Sequence, residues 1–268
     1  MPHKNPEVRK KYLKDYRSRN KDFVARLQRD FYVANADRLR SYACEWRRKI
    51  SDDVKKWFGG VCACCGEGWL DMLTLDHKAN DGGGMKRAHH QSTYYRIWKA
   101  FMTGDVPAIG EILKSFDNLC WNCNLSKRHG GICRHKRGPL SGEGEQYRTV
   151  YMRNSQRRAV ALLGGKCVCC AEGEPEFLCV EHINNDGHLA RRNKNGTRDA
   201  YSDYFAILRA FREKDGPAIL AVRAKFQAMC HNCNQSKRIN GVCLHKRPVA
   251  TRHGEFPYAT LVPTGTCG

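Results

Sequence analysis

Apolar residues fall at three- and four-residue intervals in two places: Tyr94, Ile97, Trp98 and Phe101, then Tyr204, Ile207, Leu208 and Phe211. Each stripe predicts an amphipathic helix whose apolar side is core. A second, shorter helix is expected after each. Asp105 and Asp215 are residue types that cap free N–H groups, and Pro107 and Pro217 fit a first turn. The apolar face of the first of these helices includes Ile109, Ile112 and Phe116. Met72-Leu73-Thr74-Leu75-Asp76-His77 and Phe177-Leu178-Cys179-Val180-Glu181-His182 read as short strands, each ending in an acid–histidine pair and followed by a glycine-bearing loop. Near the start, Tyr12, Tyr16, Phe23, Leu27, Phe31, Leu39, Tyr42 and Trp46 keep roughly helical spacing with Lys and Arg between them, which predicts one or more amphipathic helices. Tyr147 to Leu163 predicts a shorter linking helix, and the segment from Pro248 onward shows no periodicity.

These elements belong to an internal repeat. Gly59-Gly60-Val61-Cys62-Ala63-Cys64-Cys65 matches Gly164-Gly165-Lys166-Cys167-Val168-Cys169-Cys170 at a spacing of 105 residues, which also carries Asp76-His77 to Glu181-His182 and Asn80-Asp81-Gly82 to Asn185-Asp186-Gly187. Cys120-Trp121-Asn122-Cys123-Asn124 matches Cys230-His231-Asn232-Cys233-Asn234 at a spacing of 110. The second copy therefore holds a five-residue insertion, placed where Arg191-Arg192-Asn193-Lys194-Asn195-Gly196 reads as an exposed basic loop. The expected division is a basic helical extension (1–57), a first module (58–140), a linking helix (141–162), a second module (163–247) and an irregular tail (248–268).

Composition bears on partners and compartment. Lys and Arg number 47 against 27 Asp and Glu, a formal charge of +20, and residues 1–56 alone hold 17 against 8. A field of that sign attracts polyanions, so double-stranded DNA is the expected partner, with the N-terminal helices on its backbone. A mean hydropathy of -0.66 and the absence of a long apolar run exclude a membrane-spanning class. The charged N-terminus lacks a secretory pattern, so a reducing bacterial or phage-infected cytoplasm is expected. Nothing in the sequence fixes the oligomeric state, and a monomer is compatible with it.

In a reducing compartment, 15 cysteines with paired Cys-x-x-Cys spacing read as thiolate metal ligands rather than disulfides. Cys62, Cys65, Cys120 and Cys123, and again Cys167, Cys170, Cys230 and Cys233, supply two tetrahedral structural zinc sites. Modules of about 80 residues bury little core, whereas structural zinc contributes on the order of 10 kcal/mol, so zinc decides whether each one folds. Cys64 and Cys169 compete with their neighbours, but knuckle spacing favours the outer pair. Cys133, His135, Cys243 and His245 either cap the module through a hydrogen bond or complete a second metal site. No convincing fourth ligand recurs along the chain, so two zinc ions in all are expected.

After the second Cys-x-x-Cys comes Asn124-Leu125-Ser126-Lys127-Arg128, mirrored by Asn234-Gln235-Ser236-Lys237-Arg238. On a helix, residues three and four apart share a face, so Asn124 would lie beside Lys127 and Arg128, an oxygen donor next to phosphate-binding cations. Lys127, Arg128, Lys237 and Arg238 are accordingly candidate phosphate ligands, with Arg191 and Arg192 of the basic loop.

Taken in order, these residues resemble the HNH (ββα-metal) nuclease family, in particular its small zinc-bearing members from phages and mobile elements. The resemblance covers most of 58–137 and 163–247. It implies an α+β fold of two tandem zinc-stapled, treble-clef-like ββα-metal modules. It also implies an endonuclease that hydrolyses DNA phosphodiester bonds, with one Mg²⁺ or Mn²⁺ held by Asp76 and Asn124 in the first copy and by Glu181 and Asn234 in the second. His77 and His182 would be the general bases. The residue that orients the histidine is left open among Asn80, Asn118 and Asn185, because Ala228 stands in the second copy where Asn118 stands in the first. A homing or phage endonuclease is the favoured subtype. The principal rival is a non-catalytic zinc-dependent DNA-binding protein. A zinc deaminase is excluded because Leu119 and Met229, not proline, precede the second Cys-x-x-Cys pairs and no His-x-Glu stands upstream of them.

Overall fold

A computed structural model of the chain describes residues 5–79, 93–127, 131–137, 146–187 and 202–246. Asn80, Arg128, Arg191 and Arg192, with the basic insertion and the tail from 247, lie outside the described residues. The chain divides into two compact units, Met1–Asp52 and Asp53–Gly268.

The first unit is helical. Helix α1 (Pro6–Arg19) is opened by Asn5, whose side chain accepts from the Glu7 N–H at 2.9 Å. Helix α2 spans Lys21–Ala34, and α3 (Ala36–Trp57) runs on into the second unit. Asn20 and Asn35 end the first two helices in the same way. Each side-chain amide donates to the carbonyl four residues back, Tyr16 O and Phe31 O, both at 2.9 Å, alongside the same residue's backbone N–H at 3.0 Å. The predicted aromatic stripe is present but exposed, and neither α1 nor α2 has a buried residue.

The second unit contains both repeat copies. In the first, β1 (Leu73–His77) is followed by α4 (Thr93–Thr103), α5 (Val106–Ser115), β2 (Phe116–Cys120) and α6 (Trp121–Lys127). Helix α7 (Tyr147–Leu162) then leads into the second copy, which has the same order: β3 (Leu178–His182), α8 (Ser202–Arg212), α9 (Gly216–Lys225), β4 (Phe226–Cys230) and α10 (His231–Asn240). Each copy forms a two-stranded antiparallel sheet in identical register, pairing Leu73 with Cys120 and His77 with Phe116, then Leu178 with Cys230 and His182 with Phe226. Among the described residues two helices lie between the paired strands of each copy, so the sheet closes through tertiary packing rather than a tight hairpin. Caps on the second of these helices form as expected, with Ala108 N donating to Asp105 Oδ1 at 3.1 Å and Ala218 N to Asp215 Oδ1 at 3.0 Å. Phe116, expected on the face of that helix, instead opens the strand that follows it.

The core of each copy reaches further back than the boundaries at 58 and 163. Val54, Trp57 and Phe58, at the end of α3 and just beyond it, pack with Ile97, Phe101 and Phe116. At the equivalent positions 105 residues on, Ala159, Leu162 and Leu163 pack with Ile207, Ala210 and Phe226. The helix before each knuckle is thus part of the folding unit, because the helix stripe needs a second apolar face to cover it.

The two copies also interlock. Met72, fully buried, belongs to the cluster of the second copy, and Phe177, its counterpart, to that of the first, beside Cys62, Leu73, Cys120 and Cys123. At their junction Asn122 N donates to Asn232 Oδ1 at 2.9 Å and Asn232 N to Asn122 Oδ1 at 3.0 Å, a reciprocal pair of buried hydrogen bonds. The repeat therefore folds onto itself with pseudo-twofold symmetry. No helix among the described residues is long and apolar enough to cross a membrane.

Candidate metal centres

Each first Cys-x-x-Cys lies on a tight knuckle between the preceding helix and the sheet. Cys62 N donates to Glu67 O and Cys167 N to Glu172 O, both at 2.8 Å. The knuckle turns through a left-handed residue, Gly66 (φ 77°) in the first copy and Ala171 (φ 61°) in the second. The second Cys-x-x-Cys sits where a strand passes into a helix. There Cys123 N points at Cys120 Sγ and Cys233 N at Cys230 Sγ, both at 3.4 Å.

These elements assemble the two expected thiolate sets, Cys62, Cys65, Cys120, Cys123 and Cys167, Cys170, Cys230, Cys233, each with its sulfurs within 4.8 Å of one another. The cysteines are free, and the Cys65–Cys120 and Cys170–Cys230 sulfurs are 3.7 Å apart, well beyond the ~2.05 Å of a disulfide. Zn–S bonds of about 2.3 Å at tetrahedral angles place sulfurs about 3.8 Å apart, so the spacing fits a zinc ion.

The structure corrects the expectation of only two such sites. Cys64, Cys123, Cys133 and His135 form a further set, and Cys169, Cys233, Cys243 and His245 form its counterpart. The fourth ligand is the middle cysteine of the Cys-x-Cys-Cys knuckle, Cys64 or Cys169, which knuckle spacing alone does not favour. Cys-x-His on a 3-10 turn supplies the other two (Arg134–Lys136, Leu244–Lys246). His135 Nδ1 lies 3.8 Å from Cys64 Sγ, 3.4 Å from Cys123 Sγ and 3.5 Å from Cys133 Sγ, and His245 Nδ1 lies 3.2 Å from Cys233 Sγ. The described residues thus hold four Cys/His clusters able to bind zinc.

Crowding makes these thiols unequal. Hydrogen bonds from Cys120 and then Cys123 hold the Cys62 thiol far below its ordinary value, while the facing Cys120, Cys62 and Cys65 push Cys123 far above it. In the second copy the hydrogen bond from Cys233 brings Cys243 down to about 5, and burial raises Cys169 to about 12. So many sulfurs cannot all ionise together without cations between them.

The expected divalent-cation ligands have a different environment. Alternation along β1 puts Asp76 on the side facing α6 and His77 on the opposite side with Leu73 and Leu75. Asp76 Oδ2 accepts from Lys127 Nζ at 2.5 Å, and the same ammonium donates to His77 O at 2.9 Å and Lys78 O at 3.4 Å. In the second copy Lys237 Nζ donates to Glu181 Oε1 at 2.6 Å, Ile183 O at 2.8 Å and His182 O at 3.3 Å, and Gln227 Nε2 donates to Glu181 Oε2 at 2.6 Å. Lys127 and Lys237, expected to face phosphate, thus lie in oxygen-lined cation positions, with side chains only 13% and 14% exposed. Asn234 donates instead to Cys179 Sγ at 3.2 Å, and no hydrogen bond links Asn124 to Asp76. Arg238 is exposed.

His77 packs on Phe116 with ring centroids 4.4 Å apart, and among the described residues its buried Nε2 has no hydrogen-bond partner. His182 packs on Phe226 at 4.8 Å, and its Nε2 lies 3.7 Å from Asp203 Oδ2. Asp203 was missed in the sequence because Thr93 stands at the matching place in the first copy, so the repeat gave no signal. Asn118, one histidine-orienting candidate, is committed elsewhere: fully buried, it donates to Lys55 O at 2.7 Å and Phe58 O at 3.2 Å. Asn185 sits in a turn in the left-handed region (φ 59°), its N–H donating to His182 O at 3.0 Å.

Comparison of the chain with protein-family models, curated proteins and solved structures returned no match.

Proposed function

We propose that the protein is a metal-dependent endonuclease acting on double-stranded DNA, built on two HNH-like modules and serving a phage or homing element. The observation that carries this reading is the duplicated oxygen-lined cation position at the end of β1 and β3, beside the acid–histidine pairs Asp76-His77 and Glu181-His182. Three oxygens already surround an ammonium there, so the donor set suits a hard divalent cation such as Mg²⁺ or Mn²⁺. Asp76 and Glu181 would hold that ion, with Asn124 and Asn234 on the neighbouring helices. When bound, it would supply Lewis-acid stabilisation of charge developing on the phosphate. His77 and His182 would accept a proton from the attacking water, and in the second copy Asp203 Oδ2 lies 3.7 Å from His182 Nε2. The positive charge of +20 would draw in the phosphate backbone, with exposed Arg238 among its contacts.

One observation favours a second reading, a non-catalytic zinc-dependent DNA-binding protein: Lys127 and Lys237 fill the cation positions and staple helix to strand. The deciding experiment incubates supercoiled plasmid with Mg²⁺ or Mn²⁺ and wild type, His77→Ala, His182→Ala or the double variant, with zinc content checked in each. The nuclease reading expects linear DNA from wild type, nicks from each single variant and no cleavage from the double. Intact DNA in every lane, with binding retained, would establish the second reading.

A further inference from the structure

We infer that each module holds a binuclear zinc centre bridged by one thiolate, Cys123 in the first copy and Cys233 in the second, so that the chain binds four zinc ions rather than two. Two separate tetrahedra need eight ligands, and among the described residues each module gathers seven: six cysteines and one histidine. Cys123 belongs to both sets of the first copy and Cys233 to both of the second, and these two sulfurs are fully buried between the knuckle and the 3-10 turn. A thiolate sulfur has the lone pairs to bind two cations at once, so sharing one sulfur completes both tetrahedra.

The distances support two ions rather than one. Zn–S near 2.3 Å and Zn–N near 2.05 Å give a tetrahedral S–N edge of about 3.6 Å. The three sulfur contacts of His135 Nδ1, at 3.4, 3.5 and 3.8 Å, centre on that edge. A hydrogen-bonding role for the histidine would call for one preferred sulfur instead of three at nearly equal distance. The same set recurs around His245 in a copy whose surrounding sequence differs, so the arrangement is a property of the ligand spacing.

The outer ion has a specific structural task in the first copy. It ties the 3-10 turn Arg134–Lys136 to α6, and this segment carries the arginines that reach the second copy. Arg134 pairs with Glu174 at 3.2 Å, and Arg137 pairs with Glu176. Loss of the outer ion would release that clamp while leaving the four-sulfur site intact.

The test uses the full chain, purified under reducing conditions, and does not depend on any catalytic activity. Elemental analysis is expected to find four zinc ions per chain, and cadmium-113 substitution four resonances, split in pairs by metal–metal coupling through the shared sulfur. Cys133→Ala/Cys243→Ala is expected to retain two ions per chain with the inner resonances present and uncoupled. Two ions in the wild type, or four uncoupled resonances, would overturn the inference, and so would four ions retained by the double variant. Should that variant fail to fold, the wild-type cadmium spectrum alone decides.

Discussion

The lysines at the ends of β1 and β3 show how a residue's role depends on which partner reaches it first. As a helix-borne cation next to an asparagine, Lys127 reads as a phosphate ligand, yet an adjacent carboxylate and two strand-end carbonyls offer its ammonium a nearly dry position. If that position belongs to a divalent ion, Lys127→Met/Lys237→Met removes a competing charge. A unit charge at about 4 Å is worth on the order of 1–4 kcal/mol, so Mn²⁺ affinity measured by calorimetry should rise at least about fivefold. Unchanged affinity with reduced thermal stability would make the lysines staples only. Ala171 gives a second residue-scale prediction. It occupies the left-handed position that Gly66 fills in the first knuckle, and a Cβ there costs roughly 1–2 kcal/mol, partly offset by the entropy glycine loses on folding. Ala171→Gly should therefore stabilise the protein by about 0.5–1 kcal/mol in denaturant titrations; a destabilisation would show that the methyl group is needed in packing.

Among the elements, the contacts between copies are as informative as those within them. Glu176, its side chain 4% exposed, accepts hydrogen bonds from Arg137, Arg157 and Ser126. Burial raises its pKa, but Arg137 foremost outweighs this, and the folded value lies below the ordinary 4.5. A depressed carboxylate contributes stability that is present above 4.5 and is lost as pH falls through the folded pKa. Glu176→Gln should cost about 3 kcal/mol near neutrality and should flatten the acid limb of the stability curve below pH 4.5. An unaltered acid limb would place that dependence in other groups. The reciprocal Asn122 and Asn232 amides form one unit, so their alanine variants should each cost about 1–3 kcal/mol and the double variant less than the sum. Strict additivity in urea unfolding would mean that the two bonds act independently.

For the whole molecule, interlocking makes metal binding and folding a single problem. Met72 and Phe177 each complete the other copy's core, and the cysteine clusters lie directly beneath them. Chelation should therefore unfold residues 53–246 as one cooperative unit rather than as two modules in succession, because structural zinc supplies on the order of 10 kcal/mol per site. Two well-separated transitions in a chelator titration followed by near-ultraviolet dichroism would contradict this.

Much of the architecture was legible because local chemistry determines it: the 105-residue repeat, the helix stripes over Tyr94–Phe101 and Tyr204–Phe211, the Asp105 and Asp215 caps, and the four-cysteine sets. Those signals depend on spacing within a few residues of one chain segment. Cys64 and Cys133, in contrast, lie 69 residues apart and share a site only because the sheet closes and the 3-10 turn folds back over α6. Asn118 was legible as an amide but not as the amide that caps the end of α3, and Asp203 had no counterpart in the first copy to mark it. The sequence by itself determined which segments form helices, knuckles and strands and which side chains can ligate metal. Tertiary packing decided which ligands share an ion, which cation meets each carboxylate and how the two copies complete one core, because those outcomes depend on distances between segments that no local spacing encodes.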